Sequence, residues 1–125
     1  MQTKKNVLLV GLDPRVVDYT SLPFDEQTLS AALKADEERI NRLGYQGTWC
    51  LVDLGETAES VLRERLEANT YDCILVGAGI RTIPAHFLLF ERVMNLVHAL
   101  APGAKLCFNT NPSDSAEAIQ RWISP

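Results

Sequence analysis

The sequence predicts a three-layer α/β/α sandwich built on a four-stranded parallel sheet of strand order 2-1-3-4. Three observations carry that prediction. Short apolar runs recur four times, each is followed by a segment with apolar residues every three or four positions, and the runs are apolar throughout rather than alternating. Continuous apolar strands are covered on both faces, as in a parallel sheet between helices. Strands that alternate with helices imply right-handed βαβ crossovers. A chain of 125 residues allows one domain, 1–125. Its shortness favours order 2-1-3-4 over the competing 3-2-1-4 of dinucleotide-binding halves.

The first strand is Asn6 to Leu12. A long connection, Asp13 to Phe24, leads into a helix from about Asp25 to Leu43. Leu29, Leu33, Ile40 and Leu43 form its inner stripe, Lys34, Asp36, Glu37, Glu38 and Arg39 its wet side, and Gly44 closes it. The second strand spans about Thr48 to Leu54. Gly55 ends it, and Thr57 is the expected cap of a helix from Ala58 to Ala68 with Val61, Leu62 and Leu66 inward. The third strand runs from Tyr71 to Gly77. Pro84 sits in the first turn of the next helix, which continues to about Leu100. After the fourth strand, Ala104 to Asn109, Asn111-Pro112 reads as N-cap and first residue of a last helix. Its inner face is Ala116, Ile119, Trp122 and Ile123.

Composition excludes several classes of function. Twelve basic against sixteen acidic residues give a net charge of −4, which argues against a binder of nucleic-acid backbones. No apolar stretch is long enough to span a bilayer. Lys4-Lys5 before Val7 to Val10 imitates a signal peptide, but Asp13-Pro14 stops the run too early. Cys50, Cys73 and Cys107 lie in strand-like runs without metal-ligand spacing, as expected of buried thiols in a cytoplasmic protein.

A site is expected at the carboxyl edge of the sheet, where open parallel sheets hold their ligands. The Gly77-Ala78-Gly79 turn is the most informative piece there. Two glycines permit positive φ and a close approach to a ligand, and the amides opening the next helix attract anions. Arg81 would clamp a phosphate or carboxylate, with Thr82, Asn109 and Asn111 as further contacts. The third glycine of GxGxxG and the lysine of a Walker loop are absent, so no cofactor is named by the pattern.

Asp13 and His86 are the candidates for proton transfer at this edge. Asp13 and Asp53 end neighbouring strands, where they would either hold Mg²⁺, supply a base with a raised pKa, or cap the following turns; capping is the commoner role. His86 and His98 are roughly 18 Å apart along a helix and share no metal. The Asp13–Phe24 connection is twelve residues, against about 2–6 for an ordinary strand-to-helix loop. It reads either as a lid over the crevice or as a packed loop. In the helix that follows Pro84, Leu89, Val93, Leu96, Val97 and Leu100 complete an inner stripe and leave Phe87, Phe90 and Met94 over. Those three predict a homodimer through the helix around Phe90.

The layout resembles the receiver domains of two-component signalling, with Asp13 where their acidic cluster begins and Thr110 at the place of the switch hydroxyl. The third strand here ends in Gly77-Ala78-Gly79 instead of the phosphoacceptor aspartate, and a fifth strand with its lysine is missing. The string Phe108-Asn109-Thr110-Asn111-Pro112-Ser113-Asp114 is also similar to small uncharacterised single-domain flavodoxin-like (Rossmann-like) proteins. That resemblance implies a fold and no activity. The function expected from the residues is binding of a small anionic ligand, a phosphate, nucleotide or carboxylate, at the carboxyl edge. The alternative is a non-catalytic, pseudo-receiver-like module for protein interaction.

Overall fold

A computed structural model describes residues 3–125. Four strands, β1 (Asn6–Leu12), β2 (Gln46–Val52), β3 (Cys73–Val76) and β4 (Lys105–Phe108), pair in parallel in the order β2-β1-β3-β4. Five helices join them: α1 (Glu26–Arg42), α2 (Ala58–Ala68), α3 (Ala78–Arg81), α4 (Phe87–Leu100) and α5 (Ser115–Gln120). Single 3₁₀ turns stand at Pro14–Val16 and Pro84–His86. No helix among these residues is long and apolar enough to cross a membrane.

The continuous apolar strands are explained by two cores, one on each face of the sheet. Leu8, Val10 and Leu12 of β1 pack with Leu62 of α2 and with Leu89, Val93 and Val97 of α4. Val7 and Leu9, alternating with them, face Leu33 and Ile40 of α1 and Ala116 and Ile119 of α5. The period-two alternation of side chains along a strand thus feeds both cores from one apolar run.

The outer edge of β2 is covered by polar side chains of α1. Asn41 accepts from the Gly47 amide at 2.9 Å and donates to its carbonyl at 3.2 Å, and Glu37 accepts from the Trp49 amide at 3.0 Å. At the opposite edge, Arg121 donates to the Phe108 carbonyl at 3.0 Å.

The structure corrects several expectations. Asp36 is buried rather than wet, because its position in α1 continues the Leu29–Leu33–Ile40 stripe and α5 closes over it. Phe90 and Met94 pack on the core of their own domain, so of the three leftover residues only Phe87 is exposed, joined by Leu88. Trp122 lies past the end of α5 and is 55% exposed, not inward. The last helix begins at Ser115 with Asp114 at its N-cap position, three residues later than Asn111-Pro112 suggests. Asn111 folds back instead, its side-chain oxygen accepting from the Ser113 amide at 2.8 Å. Gly44 does close α1, with φ +108°.

Candidate functional site

At the carboxyl edge the chain runs from β1 towards β2 on one side and from β3 towards β4 on the other, so a crevice opens between the ends of β1 and β3. A cavity of about 320 Å³ fills it. Its floor is the chain at Gly11 and Gly77, and the β4–α5 loop at Asn109, Thr110 and Asn111 makes one wall. The opposite wall is Leu29 and Leu33 of α1 with Trp49 of β2. A larger hollow, about 590 Å³, lies at the amino edge, but exposed chain reversals such as Asn69, Thr70, Pro102 and Gly103 line much of it.

Gly11 exists to make room for Trp49. A Cβ on Gly11 would stand 2.8 Å from the indole Cζ3, closer than atoms pack. The indole N–H is spent on the Leu33 carbonyl at 2.8 Å, which fixes the ring between strand and helix. The Asp13–Phe24 connection reaches over the cavity with Val17, Leu22 and Phe24. It is held to itself: the Tyr19 hydroxyl donates to the Pro14 carbonyl at 2.6 Å, and the Tyr19 and Phe24 rings meet edge to face at 6.2 Å. The loop thus stands over the cavity with its apolar residues and is held by its own contacts, as a packed connection is.

The Gly77-Ala78-Gly79 segment is no open glycine turn. Gly77 has φ −70° and precedes the short helix α3, and the positive-φ glycines are Gly44 and Gly55. Gly77 is needed for a close approach of another kind, since a Cβ there would stand 3.3 Å from the Val10 carbonyl oxygen of β1. At Gly79 a Cβ would make ordinary contact with Leu12 at 3.6 Å.

Of the expected anion contacts, Gly77, Gly79, Thr82, Asn109 and Asn111 line the cavity and Arg81 does not. The Arg81 guanidinium donates to the Val76 carbonyl at 2.9 Å and lies 5.2 Å from the centre of the Phe108 ring. It stabilises the end of β3 and is turned away from any clamp. Thr82 donates its hydroxyl to the Ala78 carbonyl at 2.7 Å. Asn109, almost fully buried, is held by protein at both ends of its amide: its oxygen accepts from the Ala78 amide at 2.8 Å and its nitrogen donates to the Ser115 hydroxyl at 2.9 Å. It positions the cavity wall by tying β4 to the starts of α3 and α5.

The two candidates for proton transfer are also engaged elsewhere, and neither lines the cavity. Asp13 caps the 3₁₀ turn through the Arg15 amide at 2.9 Å and pairs with the Arg15 guanidinium at 2.6 Å. The Arg15 hydrogen bonds hold its carboxyl below the usual range, which makes it a weaker base and runs against the raised-pKa alternative. Asp53 is likewise held low, first by the Thr57 hydroxyl and then by the Gly55 amide at 3.0 Å. Thr57 therefore gives its hydroxyl to Asp53 instead of capping α2 itself. Capping is the role both aspartates play, and no group of three metal-ligating side chains occurs among the described residues. His86 meets the Gly79 carbonyl at 3.2 Å through Nδ1.

What the polar pattern of the sequence missed is the apolar lining. Leu22, Phe24 and Trp49 carried the signal: aromatic and aliphatic residues within a loop of twelve at the carboxyl edge, and a glycine in β1 two residues beyond the strand partner of a tryptophan in β2. All three cysteines are buried, as expected, but Cys73 and Cys107 bring their sulfurs to 3.4 Å across β3 and β4. Fold and crevice together define a doubly wound parallel α/β domain with one pre-formed cavity at its switch point. No family model, curated protein or solved structure matches the chain.

Proposed function

We propose that the protein is a small-molecule-binding domain whose ligand enters the carboxyl-edge crevice. The observation that carries this reading is the cavity itself: about 320 Å³, walled by side chains of α1, β2 and the Asp13–Phe24 loop at the switch point of the sheet. Pockets for small ligands begin at about 300 Å³ and favour such switch points. Binding is the part of the expectation that the geometry supports; proton transfer finds no support in the placement of Asp13 and His86. A thermal-shift screen of small metabolites tests the reading, because a ligand that prefers the folded state raises its stability by mass action. Hits should be lost in Val17→Trp, which fills the cavity from the loop. A screen without hits, or hits equal in the variant, would refute it.

A second reading is favoured by one separate observation. Phe87 and Leu88 at the start of α4 are 65% and 57% exposed, an apolar pair that a protein partner or a second copy of the chain would cover. Sedimentation equilibrium at micromolar concentration separates these cases. A dimer that Phe87→Glu dissociates supports a homodimer through this end of α4, and a monomer under the same conditions removes it.

A further inference from the structure

We infer that the crevice selects an uncharged, largely apolar ligand of one or two rings, and that it discriminates against anions. This rests on the reading of the crevice as a small-molecule site and narrows it to a chemical class. The argument is one of charge placement. The cavity lining contains no Lys, Arg, His, Asp or Glu. Each nearby charged group has its partner outside the cavity: Arg81 on the Val76 carbonyl and the Phe108 ring, and Asp13 on Arg15. Asp114 is satisfied by the amides of Thr110 and Asn111 and by the Thr110 hydroxyl.

An anion seated there would leave water without gaining a cation, and the carboxylate of Asp114, which holds the Thr110 and Asn111 amides of the cavity wall, would repel it. Burying a charge without a partner is among the costliest changes a site can ask for. The body of the ligand would instead meet Phe24, Leu29, Leu33 and Trp49. With the Thr82 and Thr110 hydroxyl protons given to the Ala78 carbonyl and to Asp114, what the rim offers is the Thr82 hydroxyl oxygen as an acceptor and the second N–H of the Asn111 side-chain amide as a donor, both uncharged. The volume, about 320 Å³, is that of about ten water molecules at about 30 Å³ each, which admits a bicyclic ring system and little more.

The pair 1-naphthol and 1-naphthyl phosphate tests this, because the two share one ring system and differ in charge. Each is titrated into the ¹⁵N-labelled full chain while the amide signals of Gly11, Gly77 and Gly79 are followed, the three glycines of the cavity wall. The expected result is saturable movement of these amides by 1-naphthol, with the phosphate weaker by about tenfold or more. Equal or tighter binding of the phosphate at the same amides would overturn the inference and leave the small-molecule reading standing. If neither probe moves these amides, or both move only amides elsewhere, the crevice reading falls with it. Val17→Trp, checked for a dispersed spectrum, should abolish the response to 1-naphthol, and persistence of the response would overturn the placement.

Discussion

Replacing Asp36 by asparagine should make the protein more stable at neutral pH and leave it little changed in acid. Asp36 is 4% exposed on the face of α1 that meets α5, and neither carboxylate oxygen has a hydrogen-bond partner. Arg39, one turn further on, is taken by Glu117 and by the Ser113 carbonyl. Burial therefore outweighs the pull of Ser115 and Arg39, and the nearby Asp114 and Glu117 add to it, so the carboxyl is pushed from 3.8 up to about 6. A folded-state pKa above the unfolded value means that the folded chain binds the proton more tightly. The resulting stability is complete below about pH 4 and is lost as pH rises through about 6. At about 1.4 kcal/mol per pH unit, ionised Asp36 costs about 3 kcal/mol above that range. Asp13, Asp53 and Glu117 are held low and so lose stability in acid, which would mask the effect in the wild type alone. The difference between Asp36→Asn and wild type isolates it. Urea unfolding at a series of pH values should show that difference growing by about 3 kcal/mol between about pH 4 and pH 6.5, then levelling. Parallel stability curves across that range, or a carboxyl carbon of Asp36 titrating at its ordinary pH by NMR, would refute the reasoning.

Gly44→Ala should cost about 1–3 kcal/mol, because φ +108° strains any side chain, whereas Gly79→Ala should be neutral or mildly stabilising; chemical unfolding of the two variants checks the contrast. Asn109→Ala strands the partly buried Ala78 amide and should cost about 1–3 kcal/mol, with faster hydrogen exchange at Ala78 as the local signature. Arg81→Ala should lower the midpoint of thermal unfolding through the loss of the Val76 and Phe108 contacts, while the affinity of any crevice ligand stays unchanged in titration calorimetry.

The parallel sheet covered on both faces was legible because it follows from patterns that one residue cannot upset. Val7 to Val10 is apolar at every position, and only a sheet covered on both faces uses such a run. Helix starts were less legible. Asn111 turns back on the Ser113 amide, and the Asp114 carboxylate gathers the Thr110 and Asn111 amides of the preceding loop without bonding to the helix, so the start at Ser115 is set by loop contacts that no single cap residue announces. The place of the crevice was more legible than its lining. Gly77, Gly79 and Asn109 do stand there, yet Asn109 spends its polar groups on the scaffold, and much of the lining comes from residues that read as core or loop packing. Asp36 shows the same limit from the other side: a charge among charges in sequence, it is buried because α5 arrives from eighty residues away to cover it.

The arrangement along β2 makes α1 a guard as well as a wall. An exposed strand edge is a template on which another chain can add, and proteins suppress that growth by covering the edge. Here the cover is lent by Asn41 and Glu37, whose side chains occupy the Gly47 and Trp49 backbone groups from a neighbouring helix. Detachment of α1 would therefore bare an apolar sheet face and free an edge of seven residues in the same event. Addition of another strand at the β2 edge thus requires α1 to leave first, and whatever steadies α1 on the sheet also keeps that edge closed.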